Sequence, residues 1–316
     1  MDLCDEKKFI KLDDEVVINR DRRGDVRGFI RNSDDIVWLR ERTLGSGSYG
    51  KVDLFRSNKN VYADLAVKFP KKEISSEEVE EEIQMVEHFS TEKCENILQI
   101  GTLRDGDNKI IVMERLDGDL FDLDFKVIQD PLGTFVRFIR FISSGMKCAL
   151  EQGYYFTDMK PDNIGWKECR DGVRFTFIDF GSFFKSDSDE RVATWEISSK
   201  RKNHFSNAQV LIYATCITIL MIKLKLISQD KFIEFENYMS KLSDSKKYPD
   251  VDYLIPTHYN KILKKFKKLD SEPILKELNI VIFSELKLLT RKISIGTNES
   301  HVSLFLEKLH NSVIDY

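Results

Sequence analysis

A large net charge is missing from this sequence. Its 49 Lys plus Arg nearly offset 53 Asp plus Glu over 316 residues, leaving a net charge of -4. That balance removes the electrostatic reason to expect bulk binding to nucleic acid. Cysteine is scarce too. The five residues Cys4, Cys94, Cys148, Cys169 and Cys216 are odd in number and scattered, with no CxxC pair. The pattern speaks against a disulfide framework or a zinc site and for a reducing, intracellular compartment. Met1-Asp2-Leu3-Cys4-Asp5 is acidic and lacks the apolar core of a secretory signal. No apolar run is long enough to span a bilayer. The longest, Ala208 to Ile222, contains Gln209, Tyr213, Thr215 and Thr218 and reads as a buried helix. No internal repeat or low-complexity segment is visible.

What is present is a globular composition, 41% hydrophobic and 32% charged. A chain of this length buries roughly three quarters of its unfolded surface and suits two folding units or one large one. Residues 1–36 are dense in charge and turn formers (Asp21-Arg22-Arg23-Gly24, Asn32-Ser33-Asp34-Asp35) and read as an extension. From Ile36 to about Arg115 the pattern is mostly strands: Val37-Trp38-Leu39, then Lys51 to Phe55 after a glycine-rich turn, Tyr62 to Phe69, and Lys109 to Glu114. One helix interrupts them, with Ser75 or Ser76 as N-cap and Glu77 and Glu78 in the first turn. From about Phe135 the helical period takes over, in a stripe through Phe138, Ile139, Ile142 and Met146 that Gly153 ends. A hairpin, Ile164–Cys169 and Val173–Ile178, closes at Asp171-Gly172. The remainder reads as helices and loops. The expected architecture is α+β, a small β-rich lobe with one main helix followed by a larger, mainly helical lobe.

Four fragments carry chemistry. Leu44 to Val52 fits GxGxxGxV between two strands, with Gly45, Gly47 and Gly50 allowing backbone N–H groups close to a polyphosphate. Alone it is more readily an ordinary glycine-rich hairpin turn. A strand rather than a helix follows, which disfavours a dinucleotide fold, and no Gly-Lys-Ser/Thr closes the run as a Walker loop would. Leu65-Ala66-Val67-Lys68 ends an apolar strand in a lysine, and an ammonium there is costly unless paired. Glu82 shares a helix face with Met85, Val86 and Phe89 and is the expected partner, with Glu78 the alternative. Tyr155 to Asn163 places Asp158, Lys160 and Asn163 in one tight loop, and Phe177-Ile178-Asp179-Phe180-Gly181 ends the next strand in Asp179. Phosphoryl transfer needs a proton acceptor, oxygen ligands for Mg²⁺ and cations on the phosphates. These side chains suit those roles.

In this order and spacing the four fragments resemble the eukaryotic-type protein kinase superfamily, as a divergent Ser/Thr protein kinase. The resemblance is specific from about Leu44 to Gly181. It implies a bilobal kinase domain over 37–316, with an N-lobe at about 37–115 and a C-lobe at about 119–316. It further implies ATP as donor, Mg²⁺ or Mn²⁺, and protein substrates. Carried over, Lys68 holds the α/β-phosphates and pairs with Glu82. Asp158 is the catalytic base with Lys160 near the γ-phosphate, and Asn163 and Asp179 ligate metal. All of these act around one nucleotide in a cleft between the lobes. Ile111 to Leu120 resembles the hinge, with Met113 as gatekeeper, backbone groups of Glu114 and Leu116 for adenine, and Asp119 for the ribose. Leu44, Val52 and Ala66 form the apolar roof, and Val86, Phe156 and Phe180 stack as a spine. Lysine at position 160 resembles Ser/Thr rather than Tyr kinases.

The chain departs from the family at several places. Thr157 replaces the arginine that pairs with an activation-loop phosphate, which implies activity without loop phosphorylation. Gly165 stands where a bulky residue usually floors the adenine. Thr194-Trp195-Glu196 is the nearest substitute for Ala-Pro-Glu. The helix at 208–222 lacks its usual anchoring Asp, with Asn207 or Gln209 nearby. Lys261, Lys264, Lys265, Lys267 and Lys268 read as a solvated helix face. Richness in Lys, Ile, Phe and Asp is similar to kinases of large DNA viruses. A small-molecule phosphotransferase and a pseudokinase scaffold are the competing readings, and the oligomeric state is not legible.

Overall fold

The computed structural model describes residues 16–47, 50–71, 74–91, 94, 100–105, 108–186, 206–244, 273–291 and 299–314. Its elements are β1 (Val16–Arg20), β2 (Val26–Arg31), β3 (Ile36–Ser46), β4 (Gly50–Ser57), β5 (Leu65–Pro70), α1 (Ser76–Thr91), β6 (Ile100–Asp105), β7 (Asn108–Glu114), β8 (Gly118–Asp119), α2 (Pro131–Glu151), β9 (Tyr154–Phe156), β10 (Ile164–Cys169), β11 (Gly172–Phe177), β12 (Phe183–Lys185), α3 (Asn207–Ile227), α4 (Gln229–Asp244), α5 (Pro273–Arg291) and α6 (Glu299–Asn311). The lysines at 261–268 and the Thr194-Trp195-Glu196 segment lie outside the described residues. The chain divides into two compact units. One takes Met1–Asp117, Lys167–Asp171 and Thr176–Gly181, and the other takes Gly118–Trp166, Gly172–Phe175 and Ser182–Tyr316.

The first unit is built on a seven-stranded sheet ordered β1-β2-β3-β4-β5-β7-β6. Residues 16–31, which composition reads as part of an extension, instead form two strands of this sheet. The charged stretch between them is the hairpin turn. Gly24 adopts φ +85°, a conformation that favours glycine, and the Asp21 carboxylate accepts from the backbone N–H groups of Arg23 and Asp25 at 2.8 and 3.0 Å. Strands at both edges feed one core: Val16 and Val26 pack in the same cluster as Leu103 and Ile110, with Phe29, Trp38 and Phe55 between them. The sheet therefore curls on itself, and Arg20 on β1 pairs with Asp105 on β6. The hidden signal was the inward row Val16, Val26 and Phe29, diluted by the charges on the other face.

The second unit is mainly helical. Helix α2 begins four residues before the apolar stripe at Phe135, because Asp130 caps it by accepting from Gly133 N–H at 2.9 Å and Pro131 suits the first turn. Gly153 follows at φ +81°. Helix α3 is 21 residues long. By length and composition it could cross a membrane, so the length argument from residues 208–222 fails. Its burial inside the protein decides that it is a core helix. The lysines that hid its true end are Lys223 and Lys225. Both are buried, with the Lys223 ammonium donating to Leu275 O and Asn279 Oδ1 and that of Lys225 to Leu120 O and Phe121 O. Gln209, weighed as a stand-in for an anchoring Asp, completes a capping box with Ser206. Helices α5 and α6 are joined by buried Glu285, which binds His301 and Lys308 at 2.9 Å each.

Among the described residues Cys94, Cys148 and Cys169 are disulfide-bonded, contrary to the expectation from their scatter. Distance along the chain carries no information about the short Cβ separation a disulfide requires. Cys216 is a buried free thiol.

Candidate active site

The β5 lysine finds its carboxylate. Lys68 Nζ lies 2.5 Å from Glu82 Oε1, with both side chains mostly buried. Ile83, Val86 and Phe89 are buried on α1, so the helix packs with the glutamate directed at the strand. Glu78, the alternative partner, is committed elsewhere. It accepts from Ser75 N–H and Oγ at 3.1 and 3.0 Å, while Ser75 Oγ caps Glu78 N–H. Of the two candidate caps, Ser75 therefore acts.

Cross-strand register aligns the rest of the roof. Gly45 faces Val52, Val52 faces Lys68 and Lys68 faces Ile111, while Ala66 faces Leu54 and Met113. Ala66 and Met113 are buried, and Leu44 is exposed as the extra residue of a bulge between Thr43 and Gly45. The three glycines differ in what demands them. A Cβ at Gly50 would sit 2.6 Å from Phe69 O, so sheet pairing alone requires that glycine. At Gly45 and Gly47 an added Cβ meets nothing within 4 Å, and neither has positive φ. Nothing in the fold calls for glycine there, which fits close approach by a ligand.

Arg115 N–H donates to Asp64 O at 3.2 Å, and alternation along extended backbone turns Glu114 and Leu116 the other way. The Glu114 side chain, which sequence reasoning passed over, is buried and paired with Lys167 at 3.2 Å. Asp117 accepts from Glu168 N–H at 2.9 Å. In the second unit, Asp119 pairs with Gly165 across β8 and β10. Burial raises the pKa of Asp119, and the nearby carboxylates of Asp122 and Asp162 push in the same direction.

In the second unit one loop gathers three polar side chains. Asp158 is buried, and its Oδ2 accepts from Lys160 Nζ at 2.9 Å and Asn163 Nδ2 at 2.8 Å. Asn163 Nδ2 also donates to Asp158 O at 2.9 Å. With the amide nitrogen committed, Asn163 Oδ1 is the atom left to meet a cation. Thr157 is fully buried, and its N–H donates to Ser182 O at 3.1 Å. Beside it β9 pairs with β12 from Tyr154 to Phe156, with the Phe156 and Phe183 rings 4.9 Å apart.

Asp179 belongs to the first unit, half-buried just before a short 3-10 turn at Phe180–Ser182. Among the described residues no three His, Cys, Asp or Glu cluster as a metal cage. Mg²⁺ does not need one. It is usually held by one or two carboxylates together with substrate phosphates and water. Each unit offers an oxygen donor of the type such a cation takes, Asp179 in the first and Asn163 in the second.

The protein kinase domain family model matches residues 38–201, more than half of the chain. The chain belongs to the protein kinase domain family. It is also similar to Calcium-dependent protein kinase 22 of Arabidopsis thaliana, 30% identical over 152 residues, a match covering 44% of this chain and 29% of that protein. The kinase fold accounts for the β-rich unit with α1 and for the helical unit that follows. Among the ion pairs that the sequence does not announce are Glu114–Lys167 and Arg40–Asp53. The first joins strands of two different sheets and the second joins the paired strands β3 and β4, and neither adjacency is local in the sequence.

Proposed function

We propose that this kinase-family chain transfers the γ-phosphoryl group of ATP to Ser or Thr hydroxyls of proteins, using Mg²⁺ or Mn²⁺. The observation that carries the reading is the Lys68–Glu82 ion pair, held in a chain whose Asp158, Lys160 and Asn163 interlock in one loop. A buried ammonium–carboxylate pair on an apolar strand is costly to form, which favours a working site over a pure scaffold. Lys68, oriented by Glu82, donates to the α/β-phosphates. Asp158 accepts the substrate hydroxyl proton as that oxygen bonds to the γ-phosphorus and the bond to the ADP oxygen breaks. Lys160 offsets charge on the transferred group. Asn163 and Asp179 would hold the divalent cation, which supplies neutralisation of the phosphate charge. Leu44, Val52, Ala66 and Met113 would enclose the adenine, with Glu114 and Leu116 meeting it through their backbone.

Activity without activation-loop phosphorylation is part of the proposal. The buried Thr157 occupies the place of the phosphate-binding arginine, and its N–H already holds the segment at Ser182. The test is transfer from radiolabelled ATP to generic protein substrates, with phosphoamino-acid analysis and a phosphatase-treated arm. Label on Ser or Thr, unchanged by phosphatase and abolished by Asp158→Ala and by Asp179→Ala, is the expected result. Label confined to small molecules, or full turnover in either variant, would overturn it.

A further inference from the structure

Gly45 and Gly47 have open space where side chains would be, and both belong to or follow β3, which pairs with β4. Between those strands lies a buried polar cluster that catalysis as described does not use. Asp53 on β4 is 2% exposed. Its carboxylate accepts from Arg40 Nε at 2.7 Å, Thr43 Oγ1 at 2.8 Å and Lys51 Nζ at 2.9 Å. Arg40 and Thr43 are on β3, the other limb of the hairpin, and Lys51 also lies 5.9 Å over the Phe69 ring of β5.

This cluster exists because of a bulge. Residues three apart on a regular strand point to opposite faces, so Arg40 and Thr43 would not both reach one carboxylate. The register is Arg40 with Phe55, Arg42 with Leu54 and Thr43 with Asp53, with Glu41 as the extra residue. That one-residue insertion turns both side chains to the face of Asp53. Bulges of this kind re-aim side chains next to functional sites. On β4, Val52 alternates to the opposite face and shares a row with Gly45 and Lys68. The cluster therefore grips the hairpin from behind, away from the face presented to the proposed nucleotide. The Asp25 charge, from the β1–β2 turn, acts on Arg40 as well.

We propose that Asp53 is a positioning residue. It locks the two limbs of the glycine-rich turn in register and so sets nucleotide affinity, an inference that rests on the kinase reading. Removing its charge leaves Arg40 and Lys51 facing each other with only the charge of Asp25 still acting on Arg40, and the limbs separate at the turn.

The test measures binding of a fluorescent ATP analogue together with KM and kcat for wild type, Asp53→Asn, Arg40→Gln and Arg40→Lys, with thermal unfolding of each. Asp53→Asn should weaken binding and raise KM for ATP about tenfold, a change worth about 1.4 kcal/mol, with kcat within about twofold. Arg40→Gln should shift the same way and Arg40→Lys should recover most of the loss. A merely structural role would instead lower the unfolding temperature and active fraction with affinity unchanged, and that result overturns the proposal. Should Asp53→Asn fail to fold, the Arg40 pair decides by the same criterion. A wild type that binds no nucleotide refutes the kinase reading itself, whereas a binding wild type matched by its variants refutes this inference alone.

Discussion

Lys68 on β5 and Glu82 on α1 are 14 residues apart and meet at 2.5 Å with neither side chain more than 16% exposed. Breaking such a pair strands a charge in a poorly solvated place, and truncating one partner is far more damaging than removing an exposed pair. Lys68→Met should lower kcat/KM by roughly 10²- to 10³-fold through lost phosphate neutralisation. Glu82→Gln should act less severely, because the ammonium remains but is no longer aimed. Steady-state kinetics at varied ATP checks the order. A Glu82→Gln enzyme more damaged than Lys68→Met would mean that the glutamate does more than orient.

The glycines give a second, internal contrast. Gly50→Ala brings a Cβ within 2.6 Å of Phe69 O, while Gly45→Ala meets open space. The first variant should unfold at a lower temperature by a strain of about 1–3 kcal/mol. The second should unfold like the wild type and show its effect only in nucleotide binding. Calorimetry beside a binding titration separates the two. Equal stability of both variants would show that the β4–β5 pairing at Phe69 can yield.

The glycine-rich turn, the pairing glutamate and the loop from Asp158 to Asn163 were legible in the sequence because each is local. The row of Met85, Val86 and Phe89 declares the face on which Glu82 sits, and Asp171-Gly172 announces its own hairpin, with Gly172 at φ +125°. Long-range pairing was not legible. The β1–β2 hairpin reads as a charged extension because its polar outer face outnumbers Val16, Val26 and Phe29. Helix α3 was cut short at Ile222 because lysines normally mark a surface. Here Lys223 and Lys225 are buried against carbonyl oxygens, contacts that only the assembled unit supplies. The Asp53 cluster depended on a bulge, which a strict two-residue alternation hides.

Because the β1–β2 hairpin shares the core, it is not a removable extension. Phe29 is fully buried, with its ring 4.7 Å from that of Phe55. Phe29→Ala should cost about 3–5 kcal/mol, and a chain starting at Ile36 should lose its cooperative unfolding transition. Val17, on the same hairpin but 51% exposed, should tolerate substitution within about 0.5 kcal/mol. Chemical denaturation of the three variants checks this, and a truncated chain as stable as the full one would restore the extension reading.

Lys225 supplies a pH dependence. Its ammonium is buried between the Phe121 and Phe232 rings, 5.7 and 5.1 Å from their centroids. Burial lowers its pKa from 10.5 to about 8, against the opposing pull of Asp122, Asp119, Asp124 and Asp162. Below the folded value both folded and unfolded chains carry the proton, and the burial penalty is fully present. Between about 8 and 10.5 the unfolded chain binds more proton than the folded one, so stability from this group rises with pH. The neutral amine still donates to Leu120 O and Phe121 O, so the contact survives deprotonation. Wild-type stability measured against Lys225→Met should therefore climb across that window and stay flat from pH 6 to 7. A difference that falls as pH rises would mean the ammonium is stabilised by its carboxylate neighbours more than burial disfavours it.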